Sequence, residues 1–79
     1  MRVKLSGIDR IAIVGEFIKL DALLKYASIA LTGGEAKKMI QSGRVYIGGE
    51  RCTERGKKVK PGQIVRCGQN VLLVKQAVK

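Results

Sequence analysis

Apolar positions change their spacing along the chain, and each change predicts a new element. Near the start, Val3 and Leu5 alternate with charged residues, a pattern too short to assign beyond an indication of a strand. Residues 11–14 form an apolar, largely β-branched run that is typical of a strand. From residue 20 the apolar residues recur at i, i+3, i+4 and i+7, which predicts a helix with one buried face: Leu20, Leu23, Leu24 and Ala27.

A second short helix is indicated by its ends. Thr32 and Glu35 fit a capping box, in which the Thr32 hydroxyl accepts from the Glu35 amide and the Glu35 carboxylate accepts from the Thr32 amide. Gly43 suits the left-handed position that ends a helix. A helix of about two to three turns is unstable alone, so it must pack against the first helix. Its predicted buried face consists of Ala36, Met39 and Ile40.

After residue 43 the pattern becomes that of short strands joined by tight turns. Gly48 and Gly49 separate two short strands, which predicts a two-residue hairpin. Residues 60–63, Lys-Pro-Gly-Gln, suit a type II turn. The predicted strands cover residues 45–47, 50–52, 64–67 and 71–74. The prediction is therefore a single α+β domain over residues 1–79, with two short helices packed on a small, mostly antiparallel, curved sheet.

The charge of the chain indicates its class of partner. Among 79 residues, sixteen Lys and Arg face six Asp and Glu, a formal net charge of +10. Such an excess favours a polyanion, with nucleic acid first and an anionic membrane second. The sequence has neither an apolar run of about 18–20 residues, as spanning a bilayer requires, nor a signal-peptide pattern. We therefore expect a cytoplasmic protein without a membrane partner.

The residue types that carry chemistry are scarce. The chain has no histidine, its six acids are scattered, and its serines have no recognisable base. Cys52 and Cys67 lack the spacing of a zinc site. A disulfide between them is possible on spacing alone, but small buried thiols are favoured in a cytoplasmic chain. We expect no enzyme activity, no cofactor, no metal and no small-molecule substrate.

Positive charge is concentrated in the middle of the chain. Residues 37–60 carry a net charge of +6, because only Glu50 and Glu54 oppose eight cations: Lys37, Lys38, Arg44, Arg51, Arg55, Lys57, Lys58 and Lys60. A surface that only confers solubility does not need such one-sided charge. Two local alternatives stay open. Gly33 and Gly34 offer amides to a phosphate or simply begin a capped helix, and Tyr46 stacks on a base or packs in the sheet.

Four segments of the chain resemble the S4 RNA-binding domain: residues 18–25, 32–50, 55–59 and 61–65. The resemblance covers about residues 11–75, and it is closest to the small stand-alone members of the YaaA/YbcJ type. It implies two helices against a curved antiparallel sheet, and binding to structured RNA, often ribosomal. It also implies a binding surface along the second helix and the start of the following hairpin.

Carried over by position, the resemblance selects ten RNA-binding residues: Lys19, Thr32, Gly33, Lys37, Lys38, Arg44, Arg51, Arg55, Lys57 and Lys58. The chain departs from the family pattern at three positions. Gly33 stands where many members have Arg, Gly48 where many have Asn, and Lys19 replaces a frequent Arg, which removes a planar fork for phosphate. These departures leave the fold expectation intact, and the RNA targets of the Arg-bearing members are not carried over to this chain.

The predicted function is an RNA-binding protein for structured RNA, either ribosomal RNA or tRNA. It would act as a monomer in ribosome assembly or quality control and contact mainly phosphates and RNA shape. The alternative is a protein-interaction adaptor, in which the apolar strand over residues 71–74 lies at an exposed sheet edge and pairs with a partner strand.

Overall fold

A computed structural model of the chain describes residues 8–77. The strand indicated around Val3 and Leu5 lies outside the described residues. The elements, in chain order, are β1 (Asp9–Ile13), β2 (Ile18–Lys19), α1 (Leu20–Tyr26), α2 (Gly33–Gln41), β3 (Val45–Ile47), β4 (Glu50–Arg51), β5 (Lys58–Val59), β6 (Ile64–Cys67) and β7 (Asn70–Gln76).

Two layers make up the fold. One is a five-stranded sheet in the order β1-β7-β6-β3-β4, in which every neighbouring pair is antiparallel except β1 and β7, which are parallel. The other contains α1 and α2, which pack against each other. A separate two-stranded sheet joins β2 to β5. The predicted α+β class, with two helices and a mostly antiparallel sheet, is confirmed.

The sheet has one buried face and one open face. Val65, Cys67, Leu72 and Val74 are buried and share one core with the apolar sides of α1 and α2. Alternate residues of a strand point to opposite faces, so the residues between them lie on the side away from the helices. We call this side the outer face; its positions on the four antiparallel strands are Tyr46, Arg51, Ile64, Arg66, Val71, Leu73 and Lys75.

The start of α1 is closed by a distant part of the chain. The amide of Leu20 donates to the carbonyl of Lys57 at 2.8 Å, and the amide of Asp21 donates to the carbonyl of Arg55 at 3.1 Å. The first amides of a helix have no acceptor within the helix. Here the loop that follows β4 supplies carbonyl acceptors for two of these amides. That loop is therefore held against α1 by its own backbone.

The start of α2 confirms half of the predicted capping box. Thr32 Oγ1 accepts from the Glu35 amide at 3.1 Å, but the Glu35 carboxylate accepts from the amide of Leu31, at 2.7 Å. The prediction that it would bind the Thr32 amide is wrong. Thr32 is extended, at φ −138° and ψ 165°, and successive amides of an extended chain point in opposite directions. The carboxylate therefore meets the Leu31 amide.

Removing the cap is expected to weaken the whole domain. Thr32→Ala should lower the free energy of unfolding by about 1 kcal/mol, because the Glu35 amide loses its acceptor. Thr32→Ser keeps the hydroxyl and should recover most of that loss. Urea denaturation of the two variants beside the parent protein measures the difference. Equal midpoints for the Ala and Ser variants would contradict a capping role.

The two predicted turns are present. Gly48 and Gly49 adopt positive φ of 59° and 89° between β3 and β4, as a two-residue turn of the primed type requires. The predicted turn over residues 60–63 is closed by the Gln63 amide, which donates to the Lys60 carbonyl at 3.1 Å. The hairpin's second strand ends at Arg51, one residue earlier than predicted.

The first and the last described strands also differ from their predicted limits, and the last one differs in its place in the sheet. The first strand covers Asp9–Ile13 and leaves Val14 outside it, with 82% of its surface exposed. The last strand is longer than predicted and covers Asn70–Gln76. It lies between β1 and β6 in the sheet. The hypothesis of a free edge at residues 71–74 is therefore wrong, because Leu72 and Leu73 have a paired neighbour on both sides.

Candidate nucleic-acid interface

The outward side of α2 presents lysines to solvent. Ala36 and Ile40 are fully buried against the sheet, whereas Lys37 and Lys38 are exposed. Met39 is partly buried at the edge of the core. The predicted burial of this helix is confirmed, and it fixes which way the two lysines point: any bound molecule that reaches them approaches from the solvent side of α2.

The end of α2 is joined to the hairpin by an arginine. Gly43 follows the helix with a φ of +85°, and a Cβ placed on it would lie 3.4 Å from Cδ of Arg51. The absence of a side chain therefore lets Arg51 lie along the end of the helix. Arg44, the next residue, is exposed. We call Lys37, Lys38, Arg44 and Arg51 the helix-end cluster.

Arg44 lies close enough to Cys67 for its charge to affect the pKa of that thiol. Cys67, at the end of β6, pairs in register with Val45. Burial raises the pKa of the Cys67 thiol, and the nearby charge of Arg44 opposes that increase. Cys52 and Cys67 are both free and buried, as predicted for thiols that pack in the core.

A second group of cations lies where the loop after β4 meets α1. Lys19 and Lys58 are direct partners in the β2–β5 pair, and the Lys58 ammonium lies 4.9 Å from the centre of the Phe17 ring. Arg55 Nε lies 3.4 Å from a carboxylate oxygen of Asp21. With Lys57, these cations form what we call the loop cluster: Lys19, Arg55, Lys57 and Lys58.

One groove is bordered by both clusters. It has a volume of about 390 Å³, and its lining includes Arg51 from the helix-end cluster and Lys57 from the loop cluster. Glu50 and Glu54 also line it. Because its lining holds two carboxylates beside two cations, the groove itself offers a polyanion no net positive charge.

Two predicted site residues lie at the other end of α2. Thr32 caps the helix and Gly33 is its first residue, so about 13 Å of helix, at 1.5 Å per residue, separates them from Arg44. Both polar side chains at this end, Thr32 and Glu35, bind the backbone of the same turn. This arrangement supports the capped helix start over phosphate capture by the glycine amides. The RNA-binding assignment of Thr32 and Gly33 stays a prediction.

An aromatic residue lies between two arginines on the sheet, an arrangement that the sequence did not predict. Tyr46 on β3 pairs in register with Arg51 on β4 and with Arg66 on β6. The guanidinium carbons lie 5.7 Å and 5.2 Å from the centre of its ring. Arg51 Nη2 donates to the Tyr46 hydroxyl at 3.3 Å, and this bond, with the charge of Arg51, holds the pKa of that hydroxyl below its ordinary value. We call these three residues the Tyr46 ladder.

Arg66 was absent from the predicted site, although one signal pointed to it. In residues 64–67, Ile-Val-Arg-Cys, the arginine alternates with Val65 and Cys67, which are buried. Alternation alone places Arg66 on an open face. Its contact with Tyr46 depends on the register of strands that are 20 residues apart in the chain, and no local pattern contains it.

The described part of the chain lacks two other kinds of feature. Among residues 8–77, no three His, Cys, Asp or Glu side chains are grouped so that they could hold a metal ion. In the same range, no helix combines the length and the hydropathy that crossing a bilayer requires.

Comparisons with known proteins identify a domain family and a matching fold. The family model of the S4 domain matches residues 11–75. Among solved structures, the solution structure of a tyrosyl-tRNA synthetase C-terminal domain superposes with a TM-score of 0.70 at 24% sequence identity, covering 89% of this chain and 79% of that one. No curated protein sequence matches the chain significantly.

Proposed function

Because this chain belongs to the S4 domain family, a family of RNA-binding domains, we propose that it binds structured RNA, either ribosomal RNA or tRNA, through its two basic clusters. The observation that carries the proposal is the contact of Arg51 with Gly43. It places Arg51 of the hairpin beside the end of α2, whose lysines are exposed, and Arg51 and Lys57 line the same groove together with Glu50 and Glu54.

The contacts would be made to phosphates and to RNA shape. The major groove of A-form RNA is too deep and narrow for side chains to read, whereas phosphates are accessible on its outside. Arg44 and Arg51 supply planar forks that match a phosphate, and Lys37 and Lys38 supply mobile point charges. Arg55 is paired with Asp21, but half of its side chain is exposed, so it can also reach a phosphate from the solvent side.

Salt dependence tests the proposal. If about five phosphates are neutralised, a plot of log affinity against log salt concentration should have a slope of roughly −3.5 to −4.5, because each contact releases about 0.7–0.9 of a counterion. Fluorescence anisotropy with a labelled blunt RNA duplex, between about 50 and 200 mM salt, measures it. A slope near zero would contradict phosphate binding.

We further propose that the chain is a binding module without catalytic activity of its own. The sequence has no histidine, and the buried Cys67 thiol has a raised pKa, which disfavours the nucleophilic thiolate.

The proposed setting of the protein is the cytoplasm, where it acts as a monomer in ribosome assembly or quality control. Crosslinking in cells, followed by sequencing of the bound RNA, separates a ribosomal target from tRNA.

A further inference from the structure

The outer face of the sheet is the side that neither helix covers. At its centre Ile64 is 43% exposed, and Val71 and Leu73 are half-buried. On β3, β4 and β6 the charged residues at outer positions are both cations, Arg51 and Arg66. Apolar surface edged by one sign of charge is suited to a partner that is both flat and anionic.

The Tyr46 ladder crosses this face in a single row. Cross-strand neighbours in a sheet lie about 5 Å apart, so the Cα atoms of Arg51 and Arg66 are roughly 10 Å from each other, with Tyr46 between them. The ring holds both guanidinium groups close to it, and both arginines are exposed. Two oriented cations are thus fixed beside an aromatic ring and next to the apolar strip of Ile64 and Leu73.

We propose that the Tyr46 ladder and the apolar strip beside it bind an unpaired, single-stranded stretch of RNA that flanks the structured element. Guanidinium groups bind phosphates and stack on bases, and aromatic or apolar surface accepts base faces without regard to sequence. A duplex buries its base faces and leaves the apolar strip without a partner. The ladder therefore favours unpaired RNA over duplex.

The inference rests on the proposed function, which it extends from paired to unpaired RNA. Arg51 connects the two surfaces, because it touches Gly43 at the end of α2 and Tyr46 on the outer face. An RNA whose paired part lies along the helix-end cluster thus has a continuous path, over the edge strand β4, to the ladder. Arg66 and Tyr46 belong only to the ladder and serve to test it.

The experiment compares three RNA probes: a blunt duplex, the same duplex with a single-stranded uridine extension of about eight nucleotides, and the extension alone. The parent protein should bind the extended duplex about tenfold more tightly than the blunt one, since stacking contributes 1–3 kcal/mol per base. Arg66→Gln should remove most of this gain and leave blunt-duplex affinity within about twofold of the parent value, and Tyr46→Leu should also remove most of the gain.

Arg10→Gln is the matched control. Arg10 lies on the same outer face, on β1, with β7 between it and the strand of Arg66. Its loss removes the same charge and should change the gain by no more than about twofold, because screening is strong at this separation. Equal losses for Arg10→Gln and Arg66→Gln, or no gain from the extension in the parent protein, would overturn the inference.

The probes also separate this inference from the proposed function. If the blunt duplex fails to bind while the oligomer alone binds and depends on Arg66, the ladder stands and the proposed duplex surface fails. If the blunt duplex binds with the expected salt slope and the extension adds nothing, the proposed function stands and the ladder fails. Because Arg66 is exposed, Arg66→Gln is expected to fold normally, and circular dichroism checks this.

Discussion

Reversing three charges together, Lys37→Glu, Lys38→Glu and Arg44→Glu, is expected to lower the affinity for a blunt RNA duplex at least about 100-fold near 0.15 M salt. All three side chains are exposed and belong to the helix-end cluster. Each lost phosphate contact removes the release of a counterion, and each new carboxylate repels the RNA backbone. The remaining binding should also show a salt slope that is shallower by about 2–3.

A second triple reversal controls for net charge. Arg10→Glu, Lys25→Glu and Lys75→Glu change the same number of exposed cations outside both clusters and the ladder. We expect this variant to bind the blunt duplex within about tenfold of the parent protein, because charges beyond a Debye length of about 8 Å are largely screened. Similar losses for the two variants would show that net charge, and not the helix-end cluster, governs affinity.

Ile40→Ala is expected to lower the free energy of unfolding by about 3 kcal/mol. The Ile40 side chain is fully buried on α2 and belongs to the single core of the domain. Its removal deletes apolar contact and leaves a cavity between the helix and the sheet. A domain of this size is stabilised by roughly 4–12 kcal/mol in total, so this single change removes a large share. Urea denaturation, with a check that the slope m is unchanged, measures it.

Leu31→Ala is the matched control for that loss. Leu31 precedes the same helix but has 82% of its surface exposed, so its truncation should change stability by no more than about 0.5 kcal/mol. If Ile40→Ala were as stable as Leu31→Ala, α2 would have to pack on the sheet through a different face from the one described. Lys37 and Lys38 would then also point in a different direction.

The parts of the fold that could be predicted are those that residues close in sequence determine. The cap of α2 needs Thr32 and Glu35, which are three residues apart, and the hairpin turn needs only Gly48 and Gly49. The strands β2 and β5 have two residues each, too few to show an alternating pattern. They are strands only because they pair with each other, and residues far apart in sequence determine that pairing. For the same reason, the sequence did not reveal that the last described strand lies inside the sheet.

In the candidate site, too, the features set by residues close in sequence were predictable and those set by distant residues were not. Lys37 and Lys38 were assigned to the surface because helical spacing put the apolar residues on the other side of α2, and the structure agrees. The contact between Arg51 and Gly43 required the hairpin to fold back on the helix end. The association of Tyr46 with Arg66 required the register of β3 with β6, which alternation within either strand cannot supply.

The interior place of β7 has a consequence for the protein during its synthesis. This strand is the last one described, yet it joins β1 to β6. While the ribosome extends the chain from residue 41, the end of α2, to residue 76, the end of β7, the sheet beneath α2 lacks the strand that joins β1 to the other strands. At 5–20 residues per second that interval lasts roughly two to seven seconds. Throughout it α2 has no completed sheet to pack on, so a nascent chain acquires its proposed RNA-binding surface only once β7 has been made.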